Sequence, residues 1–520
     1  MGDVTLERLL RGCRVVAHRG DLSMLVSGVE HDSRKVRPGD VFFALDGART
    51  RGLDHALEAV RRGAVAVVAS ELLGAAAHGG AGVTTVAVDD VRRALALAAC
   101  EVAGHPTRRV PTVGITGTNG KTTITYMLEA MCAAAERPAG VIGTINVRLG
   151  GVATVSGYTT PEAPVLQALA ADLVARGARV LVMEVTSHGI AMRRSHGIGF
   201  RVVAFTNLTQ DHLDLHGSME RYGSTKLRLF TDELEHSPDA VAVVNVDDAF
   251  GERVAREARC PAVRVSAAGT SGTDVRVVAR HLSVDGTEAT LEVRGRRIEV
   301  RCPQIGEHNL ANMVVAVGIG DALGLPDGAI VEGLAGLSVV PGRLERVPDP
   351  RGTAVLVDYA HTPDALTKVT QTLAQFTRGR LVVLFGCGGD RDPLKRPLMG
   401  EAAARGGDLV VVTSDNPRSE DPRAIIDMAL PGLIATGIAR LTLADLGAAA
   451  KGYVVEPDRR TAIRAAVAAA RQDDVVLIAG KGHEPYQILK AETIHFDDRE
   501  EARDAIRAAI EARKEGVSSK

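Results

Sequence analysis

The run Gly117-Thr-Asn-Gly-Lys-Thr-Thr123 contains the parts of a phosphate cradle. Gly117 and Gly120 let the backbone N–H groups of Thr118, Asn119 and their neighbours turn toward an anion. A helix starting near Lys121 adds its positive end, the lysine ammonium reaches the outer phosphates, and the Thr122 hydroxyl, next to Thr123, is a ligand for Mg²⁺. The usual spacing of this motif needs glycine at position 115, where Ile115 stands, so the loop is a variant form. A Gly turn with an incidental lysine does not explain Lys-Thr-Thr at the first turn of an amphipathic run. Glu184 closes the apolar run Arg179-Val-Leu-Val-Met-Glu, and His212 follows the run Arg201-Val-Val-Ala-Phe-Thr by six residues. If both runs are strands, a carboxylate and an imidazole meet at one sheet edge, where they suit a divalent cation. The plainer readings are a helix cap for Glu184 and a shared helical face for His212 and His216. The His-x-x-x-His pair lacks the adjacent Glu of a zinc protease.

These residues need a scaffold, and the chain alternates short β-branched runs with alanine-rich stretches, the pattern of parallel sheets covered by helices. The class is α/β. Strands are expected at 110–116, 179–185, 201–206 and 240–246, and again at 354–358, 380–386, 408–413 and 474–480. Each of the last four ends in a Gly- or Asp-rich turn, at the edge where open α/β sheets bind ligands. Between about 262 and 303 the alternation shortens to runs such as Thr287-Glu-Ala-Thr-Leu-Glu-Val, which reads as an antiparallel insert. Gly104-His-Pro-Thr and Val340-Pro-Gly punctuate the chain. At roughly 100 to 200 residues per domain, 520 residues predict about three, and the breaks give 1–108, 109–340 and 341–520.

Composition excludes several classes of function. Lys plus Arg at 62 against Asp plus Glu at 64 leaves a formal charge of −2, so no overall basic field is available for nucleic acid or an anionic membrane. Aromatics at 3% and no Trp leave no base-stacking platform. Six scattered cysteines without a C-x-x-C pair argue against disulfides and thiolate zinc sites. No signal-like N-terminus or membrane span is evident, so a cytosolic monomer acting on small molecules is expected.

The loop Gly117-Thr-Asn-Gly-Lys-Thr is similar to the nucleotide loop of the Mur ligases and folylpolyglutamate synthases, which join an amino acid to a carboxylate using ATP. Met183-Glu-Val-Thr-Ser-His188, Thr206-Asn-Leu-Thr-Gln-Asp-His-Leu-Asp-Leu-His-Gly217, Gly342-Arg-Leu-Glu345, Asp358-Tyr-Ala-His-Thr-Pro-Asp364, Phe385-Gly-Cys-Gly-Gly-Asp-Arg391, Asp415-Asn-Pro-Arg418 and Gly480-Lys-Gly-His-Glu484 follow in the order seen in the diaminopimelate-adding branch of the Mur ligases. The resemblance spans nearly the whole chain. It implies an N-terminal α/β domain for a uridine nucleotide-sugar, a central P-loop-type ATPase domain with a parallel sheet, and a C-terminal Rossmann-like domain for the incoming amino acid.

The resemblance also implies roles. Glu184 and His212 would bind Mg²⁺ with Thr122, and Lys226 would carry a CO₂-derived carbamate, although a lysine of this kind is ordinarily a solvated helix residue. Asn309 would contact adenine, with a helix N-cap as its local alternative. Arg343 and Asp358 would contact the nucleotide, and Ser33, Thr159, Thr160, Thr186 and Arg194 the UDP-muramoyl dipeptide. His31, Met192 and His308 depart from the apolar residue, Gln and Phe usual at those positions, which keeps a relative serving another acceptor in view. An ATPase switch without ligation leaves Asp415-Asn-Pro-Arg418 unexplained.

Diaminopimelate differs from lysine by a distal carboxylate beside its ammonium, so its reader needs both charges in one rigid place. Arg391 and Arg418 can fork onto carboxylate, Asp415, Asn416 and Glu484 can accept from ammonium, and Pro417 stiffens the turn. Gly480 belongs to the same constellation. A surface turn is the default reading of Asn-Pro alone.

Overall fold

The runs Thr112–Thr116, Val180–Glu184 and Val202–Phe205 form strands buried at every residue, as parallel strands covered on both faces must be. The computed structural model describes residues 4–47, 50–73, 82–155, 158–211, 213–283, 286–337, 339–490 and 492–518. His212 lies outside the described residues.

Three large sheets follow one another along the chain. The first has five strands in the order Val15–Arg19, Thr84–Val88, Ala66–Ala69, Asp40–Phe43, Gly28–Glu30, parallel except for the first. The central sheet has eleven strands, with Thr112–Thr116 between Val180–Glu184 and Val202–Phe205. The third has six, in the order Glu345–Val347, Ala354–Asp358, Val475–Ala479, Leu381–Phe385, Leu409–Val412, Gly452–Val455, all parallel but the first. Among the described residues no helix is long and apolar enough to cross a membrane.

The expected antiparallel insert at 262–303 is corrected in one respect. Ala262–Ser266 pairs parallel on both sides, whereas Val275–Ser283, Gly286–Val293 and Arg296–Cys302 pair antiparallel in succession and extend the same sheet. Alternation there reflects one exposed face at the sheet's end and not a separate unit. Ala139–Ile142 and Gly452–Val455 each carry a glycine that breaks the apolar run, so neither stands out in the sequence.

The helix Lys121–Ala134 packs Ile124, Met127, Leu128 and Met131 on Val113, Ile115 and Val182 of the central sheet, joined by Leu310 and Met313 of the helix Glu307–Ala322. At about 1.5–3 kcal/mol for each such buried side chain, the strand ends that carry Glu184, Thr206 and the loop after Thr116 are anchored from below. The first break is a helix stop: Gly104 (φ 70°) ends Val91–Ala103 in the left-handed conformation favoured at C-caps.

Candidate active site

The strand Thr112–Thr116 opens directly into the glycine loop, and the loop into the helix at Lys121. Two glycines are required by space as well as by φ. A Cβ on Gly117 (φ 143°) would lie 1.8 Å from Thr206 Oγ1, and one on Gly120 (φ 91°) 2.1 Å from Asn312 Oδ1. The loop is tied on both sides: Thr118 N donates to Asn207 O at 2.9 Å, and Asn119 N to Asn207 Oδ1 at 3.0 Å. Lys121 Nζ folds back onto Gly117 O and Thr118 O at 2.8 and 2.9 Å. Burial lowers the pKa of its ammonium, against the pull of Glu184 and Asp211.

Thr122 Oγ1 donates to both oxygens of Glu184 at 3.0 Å, and Thr144 adds its N–H (2.8 Å) and Oγ1 (2.9 Å) to the same carboxylate. Glu184 is therefore the end of a strand and not a cap; the next helix is capped by Thr186, which accepts from Gly189 N. A buried carboxylate beside a hydroxyl is a set of hard oxygen donors, the kind Mg²⁺ selects.

Lys226 is not solvated. It is 1% exposed, its Nζ donates to Gly117 O at 2.9 Å, and it lies 4.5 Å from the centre of the Tyr222 ring. Burial first, then the neighbouring Lys121 ammonium, hold its pKa well below the ordinary lysine range, with Asp211 opposing.

A cleft of about 830 Å³ opens over these groups. Its lining includes Thr118 to Thr123, Glu184, Thr159, Thr160, Thr186, Arg194, Asn309, Arg343, Asp358 and Arg391. Thr160 Oγ1 donates to Glu184 O at 2.9 Å, and Thr159 Oγ1 is 3.1 Å from Thr144 Oγ1, so this wall is fastened to the Glu184 strand. Arg194 donates to Glu162 (2.9 Å) and Thr160 O (3.0 Å). Asn309 lies inside its helix, not at the cap, with Nδ2 on Ile305 O and Oδ1 accepting from Asn312. Burial pushes His308 down to about 4, so a neutral flat ring stands where Phe is usual. The helix Pro363–Ala374, which follows the strand Ala354–Asp358, reaches the loop through Asp364 Oδ2, which accepts from Asn119 Nδ2 at 3.3 Å.

The residues predicted for diaminopimelate form a second cluster at the carboxyl edge of the third sheet. Asn416 Nδ2 donates to Glu484 Oε2 at 2.8 Å, Asn416 N to Asp415 Oδ1 at 2.6 Å, and Tyr359 OH to Glu484 Oε1 at 3.3 Å. Burial and the nearby Asp415 raise Glu484 above its ordinary pKa. Arg418 (φ 52°), next to Pro417, donates Nη1 to Gly389 O at 2.7 Å. A Cβ on Gly480 (φ 118°) would meet Asp415 Oδ2 at 2.6 Å, which requires glycine there.

The chain matches the Mur ligase family's catalytic domain over residues 25–107, the Mur ligase middle domain over 115–320, and the Mur ligase glutamate ligase domain over 342–482. It is 47% identical over 507 residues to a Geobacter metallireducens protein named UDP-N-acetylmuramoyl-L-alanyl-D-glutamate--2,6-diaminopimelate ligase, covering 96% of this chain and 98% of that one. The chain belongs to the Mur ligase family. A Streptomyces coelicolor protein of the same name is 42% identical to this Mur ligase over 489 residues, 94% of each chain. A solved structure of a ligase with that name superposes with a TM-score of 0.68 at 30% identity, covering 98% of this chain and 99% of its own. The fold is shared with a MurF ligase from Thermotoga maritima in complex with ADP (TM-score 0.60, 19% identity, 94% and 99% covered).

Most predicted residues of this Mur ligase thus converge on one cleft, with Lys226 and Gly117 beneath its floor. Asp415, Asn416, Arg418, Gly480 and Glu484 do not line the cleft, but Arg391 does. Gly388 links the two: its Cβ would lie 3.0 Å from Arg418 Nη1 and 3.8 Å from Arg391 Cγ. Ser33 stands apart in the first region, buried, with Oγ donating to Glu58 at 2.6 Å. Sequence reasoning missed Thr144, which grips Glu184, and Lys481, whose buried Nζ donates to Asn416 Oδ1 at 3.3 Å and to Tyr486 O. Lys481 lies within the Gly480-Lys-Gly-His-Glu484 run and could have been read there; Thr144 lies in no such run.

Proposed function

We propose that this Mur ligase joins 2,6-diaminopimelate to the D-glutamate carboxylate of UDP-N-acetylmuramoyl-L-alanyl-D-glutamate, using ATP, in cytosolic synthesis of the peptidoglycan precursor. The observation that carries the proposal is that a single cleft is lined by the phosphate loop, by the Thr159–Thr160–Thr186–Arg194 wall and by Arg391 of the third region. Three substrates can therefore present their reacting ends in one place. The division 1–108, 109–340 and 341–520 assigns the nucleotide-sugar, ATP and amino acid to successive domains of a single working chain.

A carboxylate and an amine do not condense directly at neutral pH, because the carboxylate oxygen leaves poorly. In the proposed route the D-glutamate carboxylate attacks the γ-phosphoryl of ATP, giving an acyl phosphate and ADP. The diaminopimelate amine then attacks the acyl carbon and phosphate departs. The loop N–H groups and Lys121 hold the phosphates, while Asn309, Arg343 and Asp358 hold the nucleoside. Thr122, Glu184, His212 and a carbamate on Lys226 would hold Mg²⁺, which when bound offsets the charge of the phosphoryl group in transfer. The depressed Lys226 pKa supports the carbamate, since only a neutral amine adds CO₂. The route is tested by labelling the D-glutamate carboxylate with ¹⁸O: one label should appear in released phosphate, and unlabelled phosphate would contradict an acyl phosphate.

Two further outcomes are expected. Glu184→Gln should raise the Mg²⁺ concentration for half-maximal activity by about tenfold or more, since loss of a supporting metal group costs 10–100-fold; a Mg²⁺ titration of turnover checks it, and an unmoved midpoint would remove Glu184 from the metal site. Gly342 (φ 64°) packs so closely that a Cβ would lie 2.2 Å from His483 N. Gly342→Ala should therefore displace the Gly480–Glu484 turn and lower kcat/KM for diaminopimelate by about 100-fold, measured as ADP release. Unchanged kcat/KM would count against a role for this packing in the site.

A further inference from the structure

Arg459 opens the helix Arg459–Ala469 and is 1% exposed. A guanidinium in the first turn of a helix faces the positive end of the dipole, and its burial removes water as well, so the position is unfavourable on both counts. All three of its nitrogens donate, through four of the five N–H groups. Nε and Nη2 donate to the Asp498 carboxylate at 2.8 and 2.6 Å, Nη2 also to Ala479 O at 3.0 Å, and Nη1 to Ser414 O at 3.3 Å. Asp498 is itself fully buried. Ser414 directly precedes Asp415, and Ala479 directly precedes Gly480. The strands leading into these two turns, Leu409–Val412 and Val475–Ala479, are not neighbours, because Leu381–Phe385 runs between them. One guanidinium thus bridges two turns that no shared strand ladder joins. Burial works against its charge, but Asp498 first, then Asp415 and Glu484, outweigh that and favour the charged form.

We propose that Arg459, paired with Asp498, is a positioning residue for the incoming amino acid, holding the Asp415–Arg418 turn and the Gly480–Glu484 turn at the separation where both engage the distal ammonium and carboxylate of a diamino diacid. The inference rests on reading those turns as the diaminopimelate site. Arg459→Lys keeps the charge but cannot span two carbonyls and a carboxylate. In the full-length enzyme it should raise KM for diaminopimelate by about 10–100-fold, the penalty of a slightly misplaced site, with KM for ATP and for the UDP-muramoyl dipeptide unmoved. Arg459→Ala should regain part of its diaminopimelate affinity in added guanidinium. An unmoved diaminopimelate KM, or a parallel rise in all three, overturns the proposal. Should neither variant fold, Asp498→Glu, which keeps the pair, is read the same way. Failure of all three to fold makes the pair a general support of the fold and also overturns it. Glu484→Gln separates the two readings. If it leaves the diaminopimelate KM unmoved, the site assignment falls; if it raises that KM while Arg459→Lys does not, only the role of Arg459 falls.

Discussion

Lys226→Ala is expected to lower turnover by on the order of a thousandfold, the scale seen when a group that stabilises transition-state charge is removed, and millimolar acetate or formate should restore part of it. Lys226 is buried against Gly117 O and Tyr222, beside a second ammonium at Lys121. A mere counter-cation for phosphate would be redundant there and would tolerate Arg. A carbamate would not, because arginine remains charged and cannot add CO₂. Lys226→Arg should thus be as inactive as the alanine variant and gain nothing from the small carboxylates. Full activity in either variant, measured as ADP release, would refute the carbamate.

Arg418→Ala should raise KM for diaminopimelate by about 100-fold, equivalent to roughly 2.7 kcal/mol, which lies within the cost of removing one partner from a buried charge pair. The turn is rigid: Arg418 takes a left-handed backbone, its N–H donates to Ile488 O at 3.1 Å, and its Nη1 is anchored on Gly389 O. Lysine has no distal carboxylate for the guanidinium to meet, so weak turnover of lysine should be unaffected and the preference for diaminopimelate should shrink by the same factor. An unchanged ratio of the two kcat/KM values would remove Arg418 from the recognition of that carboxylate.

Local chemistry was legible and distant pairing was not. The phosphate loop is contiguous, and its strand, turn and helix each carry their own signal, so Gly117 to Thr123 is read from seven residues. Lys226 shows the opposite case. A lysine in Met219–Leu227 looks solvated from its neighbours, and only the approach of Tyr222 and Gly117 O makes it a buried amine. The Asp415–Arg418 turn could be recognised by type, whereas its support by Arg459 and Asp498, 39 residues apart in sequence, has no periodic or local signature. The antiparallel pairing of 275–302 was legible from its alternation, but its continuity with the central sheet was not, because an exposed face produces alternation whether a strand extends a sheet or starts a new unit.

The most direct test is ADP release by the purified enzyme in Mg²⁺ and bicarbonate, omitting one substrate at a time. The account predicts ADP in step with peptide formation when ATP, UDP-N-acetylmuramoyl-L-alanyl-D-glutamate and diaminopimelate are all present and none when one of the three is left out, with the meso and LL isomers run separately and lysine as a weakly used control. Sustained ADP release independent of the amino acid, or none with either isomer, would contradict it.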